Sequence, residues 1–102
     1  MRVVRLYPDG LKLEEGGAPV PGEGDVLVRV HAAAITRHEL EWPVDRLPAV
    51  PSHELSGVIA GTGEEVFALT PFDRDGVAAE YASVPSSVLA PKPASLTHVE
   101  AD

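Results

Sequence analysis

Val26, Val28 and Val30 alternate with Leu27, Arg29 and His31, so an extended chain here carries one face made only of valine. A period of two belongs to the β-strand, and β-branched side chains suit its pleated surface. Such a face fits the interior of a barrel or sandwich. The 102 residues contain 14 Val, 9 Gly and 10 Pro, a mixture that favours short strands with tight punctuation over long helices.

The same reading extends along the chain. Arg2 to Leu6 reads as an opening strand and Pro8-Asp9-Gly10 as a turn, in which Pro presets φ and Gly supplies a positive φ. Leu11-Lys12-Leu13-Glu14 reads as a half-buried partner strand. Gly16 to Gly24 is a loop, and Pro43, Pro48 and Pro51 force an extended, irregular segment. Leu55 to Ala60, Glu65 to Leu69 and Ala78 to Val84 supply further strands, with Gly61-Thr62-Gly63 turning between the first two. Thr36 and Thr97 are each followed three residues later by Glu, the capping-box spacing, which predicts a helical turn at both places. The length allows one domain, over residues 1–102.

Eight Lys and Arg stand against 16 Asp and Glu, a formal net charge of -8. That surface repels phosphate backbones and anionic lipid, which argues against nucleic-acid and membrane-surface partners. Arg5 and Pro8 break the first apolar run, so the start does not read as a signal peptide. No window is long and apolar enough to span a bilayer, and a cytoplasmic location is expected. Cysteine is absent, which excludes disulfides, a thiolate nucleophile and Cys-ligated zinc.

Two His-Glu pairs occur, His38-Glu39 and His53-Glu54. A zinc-binding helix needs a second His four residues after the first, where Trp42 and Gly57 stand instead. A metal needs at least three converging ligands. His31, His38, His53, Glu39 and Glu54 are the candidates, but solvated or singly hydrogen-bonded histidines are the stronger reading. Gly61-Thr62-Gly63 follows a strand as a dinucleotide fingerprint does, yet Val66 holds the place of its third glycine and a strand, not a helix, follows. Ser83, Ser86 and Ser87 lie in no nucleophile-elbow pattern. Trp42 beside Pro43 fits a pocket wall, but a core filler or a surface contact fits at least as well.

Four stretches, read in order, resemble one family. Pro21-Gly22-Glu23-Gly24-Asp25-Val26-Leu27-Val28-Arg29-Val30 is similar to the opening strand of the medium-chain dehydrogenase/reductase family. Pro51-Ser52-His53-Glu54-Leu55-Ser56-Gly57-Val58 resembles its Gly-His-Glu segment, and Gly76-Val77-Ala78-Ala79-Glu80-Tyr81 its Gly-x-x-Ala-Glu-Tyr strand. Leu89 to Pro93 and Leu96 to Ala101 resemble the run leading into its cofactor domain.

The resemblance implies a mainly β, GroES-like fold, a partly open antiparallel β-barrel with short helices. It also implies the substrate side of an active site that faces a Rossmann domain holding NAD or NADP. Thr36 matches the place where the zinc-dependent members carry a Cys ligand, His53 matches the His ligand, and Glu54 the Glu beside it. The Cys-rich structural zinc lobe is missing, so the likeness is to the zinc-free, quinone-reductase-like branch. The segment from Ala60 to Val66 is shorter than the family's usual hairpin, which bears on barrel closure.

The resemblance therefore implies an oxidoreductase-type substrate domain with no Rossmann domain within residues 1–102, inactive alone. Hydride transfer needs the nicotinamide about 3–3.5 Å from its acceptor, and half of that clamp is not among these residues. Thr36, His53 and Glu54 would line the substrate side, with Trp42 and Tyr81 as weaker candidates. No metal and no cofactor is expected on this chain alone; NADP(H) enters only through a Rossmann domain supplied by a partner or a longer parent chain. The alternative is a non-catalytic binding or assembly module that forms a homodimer over an exposed apolar face. A chain with a fold but no task is the third reading.

Overall fold

The computed structural model describes residues 1–35, 47–71 and 75–101. Its strands are β1 (Arg2–Tyr7), β2 (Gly10–Glu15), β3 (Asp25–Ala33), β4 (Glu54–Ile59), β5 (Glu65–Leu69), β6 (Tyr81–Pro85) and β7 (Ala90–Pro91). A 3-10 turn, Ser86–Val88, precedes β7, and one turn of helix, α1 (His98–Ala101), follows it.

The first two strands form an antiparallel hairpin, and the other five form an antiparallel sheet in the order β6-β3-β4-β5-β7. The sheet does not close on itself, so the architecture is the partly open, mainly β GroES-like fold. Gly10 turns the hairpin with φ of 128°, a conformation L side chains rarely adopt. Ile59 N donates to Glu64 O and Gly63 N to Ile59 O, which makes Gly61-Thr62-Gly63 a tight β4–β5 turn and not a phosphate loop.

The valine face does what its period requires. Val28 is fully buried, and Val26 and Val30 pack against a cluster of Val28, Leu55, Val66, Val77, Ala82 and Val84. A second, smaller cluster of Val3, Val50 and Ala78 joins β1 to the segments before β4 and β6. Burying a side chain the size of Leu55 contributes about 2 kcal/mol through removal of apolar surface from water. β3 is kinked by an irregularity in its register against β4, where Val30 pairs with Gly57 and Ala32 with Ser56, leaving His31 exposed between them.

Three expectations change at this level. β2 forms, but Leu11 and Leu13 are 44% and 67% exposed, and it is Glu14 that is half-buried. The reason is partnership: Tyr7 and Arg5 on β1 both hydrogen-bond the Glu14 carboxylate and draw that face inward. The strand expected from Ala78 starts only at Tyr81, because Gly76 to Ala78 pair instead with the carbonyls of Val50 to Ser52. The helical turn expected from Thr36 to Glu39 lies outside the described residues, whereas that at Thr97 forms, with Thr97 N donating to Glu100 Oε1 (2.9 Å) and Glu100 N to Thr97 Oγ1 (3.2 Å).

Candidate functional site

His53 and Glu54 lie at the entrance of β4, where several backbone contacts converge. Pro51, Ser52 and His53 are all buried, His53 only 4% exposed, with both ring nitrogens shielded from solvent. Ser52 has φ of 75°, in the left-handed region, which turns the chain sharply before His53. Its hydroxyl donates to Glu54 O at 3.0 Å, across His53. Thr70 N donates to His53 O at 2.6 Å, Val77 N to Ser52 O at 2.8 Å and Ala78 N to Pro51 O at 3.1 Å. Gly76 allows this approach, since a Cβ there would stand 2.3 Å from the carbonyl oxygens of both Pro51 and Ser52.

Glu54 pairs with Leu69 across the β4–β5 ladder and is half-buried. Tyr81 does not join this pair. Arg29 pairs with Tyr81 on one side and Val58 on the other, so Tyr81 is level with Val58 and two strands away. Strand geometry then separates it from Glu54 by about 16 Å. Tyr81 instead lines a cavity of about 410 Å³ with Val3, Arg5, Asp25, Asp75 and Ser83. Thr36 and Trp42 lie outside the described residues, as do His38 and Glu39.

The described residues do not assemble a catalytic zinc site. Cysteine is absent, and among the described residues no three His, Asp or Glu converge as a ligand set. The described residues do not fit a dinucleotide either, because both Gly-x-Gly stretches, Gly22-Glu23-Gly24 and Gly61-Thr62-Gly63, lead into strands, β3 and β5, and not into a helix. What the entrance of β4 can do is hold a buried imidazole and an adjacent carboxylate in a fixed orientation.

A second polar cluster escaped the sequence reading. Ser56, fully buried on β4, shares a hydrogen bond with His98 Nδ1 on α1. His98 Nε2 stands 3.6 Å from Glu65 Oε1 on β5, and Lys92 Nζ 3.5 Å from Glu65 Oε2. The His98 ring stacks on His31, with centroids 4.4 Å apart and planes inclined by 29°. Partial burial, then the neighbouring His98 and Arg29 charges, hold His31 below the usual histidine range, while Glu65 acts in the opposite sense. No local pattern marks this cluster; the chain offered only a His inside a capping box and His31 among the candidate metal ligands.

Comparison with known proteins places this geometry. Residues 22–74 match the alcohol dehydrogenase GroES-like domain. An alcohol dehydrogenase of Moraxella sp. (strain TAE123) is 33% identical over 79% of this chain and 26% of its own length. One from Rhizobium meliloti (strain 1021) is 38% identical over 74% of this chain and 24% of its own. The chain thus spans about a quarter of the length of these relatives. The quinone oxidoreductase of Coxiella burnetii superimposes on 99% of this chain and 39% of its own with a TM-score of 0.86, a likeness of fold at 20% identity. The quinone oxidoreductase of Thermus thermophilus, whose structure was solved also in complex with NADPH, is 29% identical and superimposes on 96% of this chain and 34% of its own with a TM-score of 0.78. The match covers more than half of the sequence, and the open sheet is the one these enzymes share, so this chain belongs to the alcohol dehydrogenase GroES-like domain family.

Proposed function

We propose that the chain is the substrate-side domain of an NADPH-dependent oxidoreductase of the zinc-independent, quinone-reductase-like kind. The observation that carries this reading is the entrance of β4. There a buried His53 and the adjacent Glu54 sit in a family fold that offers no cysteine and, among the described residues, no cluster of three His, Asp or Glu. In this reading His53 and Glu54 act on the substrate side through hydrogen bonding and pocket shape; Thr36 and Trp42, the further candidates, lie outside the described residues. Tyr81 stands apart from Glu54. The nicotinamide, which supplies the hydride, is held by a Rossmann-type domain of a longer protein or of a partner, and a cytoplasmic setting goes with that chemistry.

The test is NADPH oxidation against a panel of quinones, measured with these 102 residues alone, mixed with candidate Rossmann-domain partners, and within the longest natural polypeptide that contains them. Turnover that requires the additional domain is the expected result. Absence of turnover in every arrangement overturns the enzymatic reading.

A second reading has its own observation. Leu11 and Leu13 on the β2 edge and Val20 just beyond are 44%, 67% and 89% exposed. An assembly module would bury these side chains against a second copy of the chain. Sedimentation at micromolar concentration is expected to report a dimer that Leu13→Lys dissociates, and a monomeric mass for the parent chain overturns this reading.

A further inference from the structure

The backbone before His53 holds a contradiction that points to a role. Ser52 takes φ of 75°, a conformation that favours glycine, and it is fully buried, so its hydroxyl must find a partner inside the protein. A glycine would meet the backbone requirement better. What serine adds is one hydrogen bond, from Oγ to Glu54 O at 3.0 Å, and that bond spans His53.

We propose that Ser52 is a positioning residue for His53, its hydroxyl closing a short loop that fixes the peptide planes on both sides of the imidazole. This rests on the reading above that His53 faces the substrate side. The surrounding contacts already hold the carbonyls: Val77 N bonds Ser52 O and Thr70 N bonds His53 O. Gly76 packs against Pro51 and Ser52 with no room for a side chain. These bonds anchor the outer edge of the turn and are indifferent to the residue type at 52. The Ser52 hydroxyl is the contact that ties the residue before His53 to the one after it, and so restricts rotation of the backbone that aims the ring.

The experiment compares the 102-residue chain with Ser52→Gly and Ser52→Ala by thermal unfolding, amide hydrogen exchange and the NMR signals of the His53 ring. Glycine removes both the unfavourable φ and the hydroxyl; alanine removes the hydroxyl alone. The expected result is a dissociation of two readouts. Ser52→Gly keeps or raises the melting temperature, while exchange at His53 and Glu54 quickens by at least about tenfold and the ring signals shift or broaden. Ser52→Ala shows the same His53 signature with a lowered melting temperature.

If Ser52→Gly leaves His53 exchange within about twofold and its ring signals unmoved, the proposal is wrong. It is equally wrong if Ser52→Gly unfolds, or if its melting temperature falls in step with the loosening of His53, because the hydroxyl is then a requirement of the fold alone. Failure of quinone turnover would remove the use made of His53 but leave these signals standing, so the two readings fail separately.

Discussion

Ser56 and His98 are 42 residues apart in sequence, and a hydrogen bond between the buried Ser56 hydroxyl and His98 Nδ1 fastens α1 to the middle of the five-stranded sheet. The same ring reaches Glu65 with its other nitrogen and stacks on His31, so one side chain joins α1 to β3, β4 and β5. His98→Ala leaves the Ser56 hydroxyl buried without its partner. The expected cost is about 1–2 kcal/mol, with loss of exchange protection at Ala101, whose amide closes the helical turn onto Thr97 O. Ser56→Ala is expected to cost less, because the His98 ring is 16% exposed and its nitrogen can turn to water. Thermal unfolding and hydrogen exchange of the two variants check the asymmetry.

Acid acts on the same cluster. The fold holds His31 below its ordinary value, mainly through partial burial and then through the charges on His98 and Arg29, so it binds its proton more readily once unfolded. Unfolded histidine titrates near about pH 6.5, and stability linked to His31 is complete above that value. It is lost as pH falls through that value toward the lower folded one. The melting temperature is expected to decline between about pH 7 and about pH 5, and His31→Asn to flatten that decline. A slope unchanged in His31→Asn rules His31 out as its source.

Gly76 carries the close approach that seats His53. In Gly76→Ala the new Cβ would stand 2.3 Å from two backbone oxygens, and neither can give way without moving Pro51 and Ser52. A loss of about 2–3 kcal/mol is expected, at the upper end for overpacking. Gly17→Ala, where nothing lies within 4 Å of the added methyl, is the matched control and should shift stability by less than about 0.5 kcal/mol. Denaturant midpoints of the two variants compare them directly.

Leu55 and Leu13 separate core from surface. Leu55 is 1% exposed and packs in the valine cluster, so Leu55→Ala is expected to cost about 3 kcal/mol through lost burial and the cavity left behind. Leu13 is 67% exposed, and Leu13→Ala should change the stability of a single chain by no more than about 0.5 kcal/mol. A larger effect at Leu13 that grows with protein concentration would trace it to association between chains.

Sequence alone was enough wherever the cause is local. The valine alternation of β3, the Pro8-Asp9-Gly10 turn and the reciprocal Thr97–Glu100 cap each depend on residues within a few positions, and each stands where its pattern placed it. The His53-Glu54 motif is contiguous and visible in the chain, but the burial of His53 at the entrance of β4 is not. Tertiary structure decided the remainder, since sheet order and register are set by contacts between residues far apart in the chain. Register left Tyr81 two strands from Glu54, and cross-strand partners turned Glu14 inward and Leu13 outward. The left-handed turn at Ser52 exists because the chain from Gly76 to Ala78 presses against it, and the Ser56, His98, Glu65 and His31 cluster exists because α1 folds back over β4. Neither arrangement has a period or a spacing that the linear chain displays, because the partners meet only after the sheet has formed.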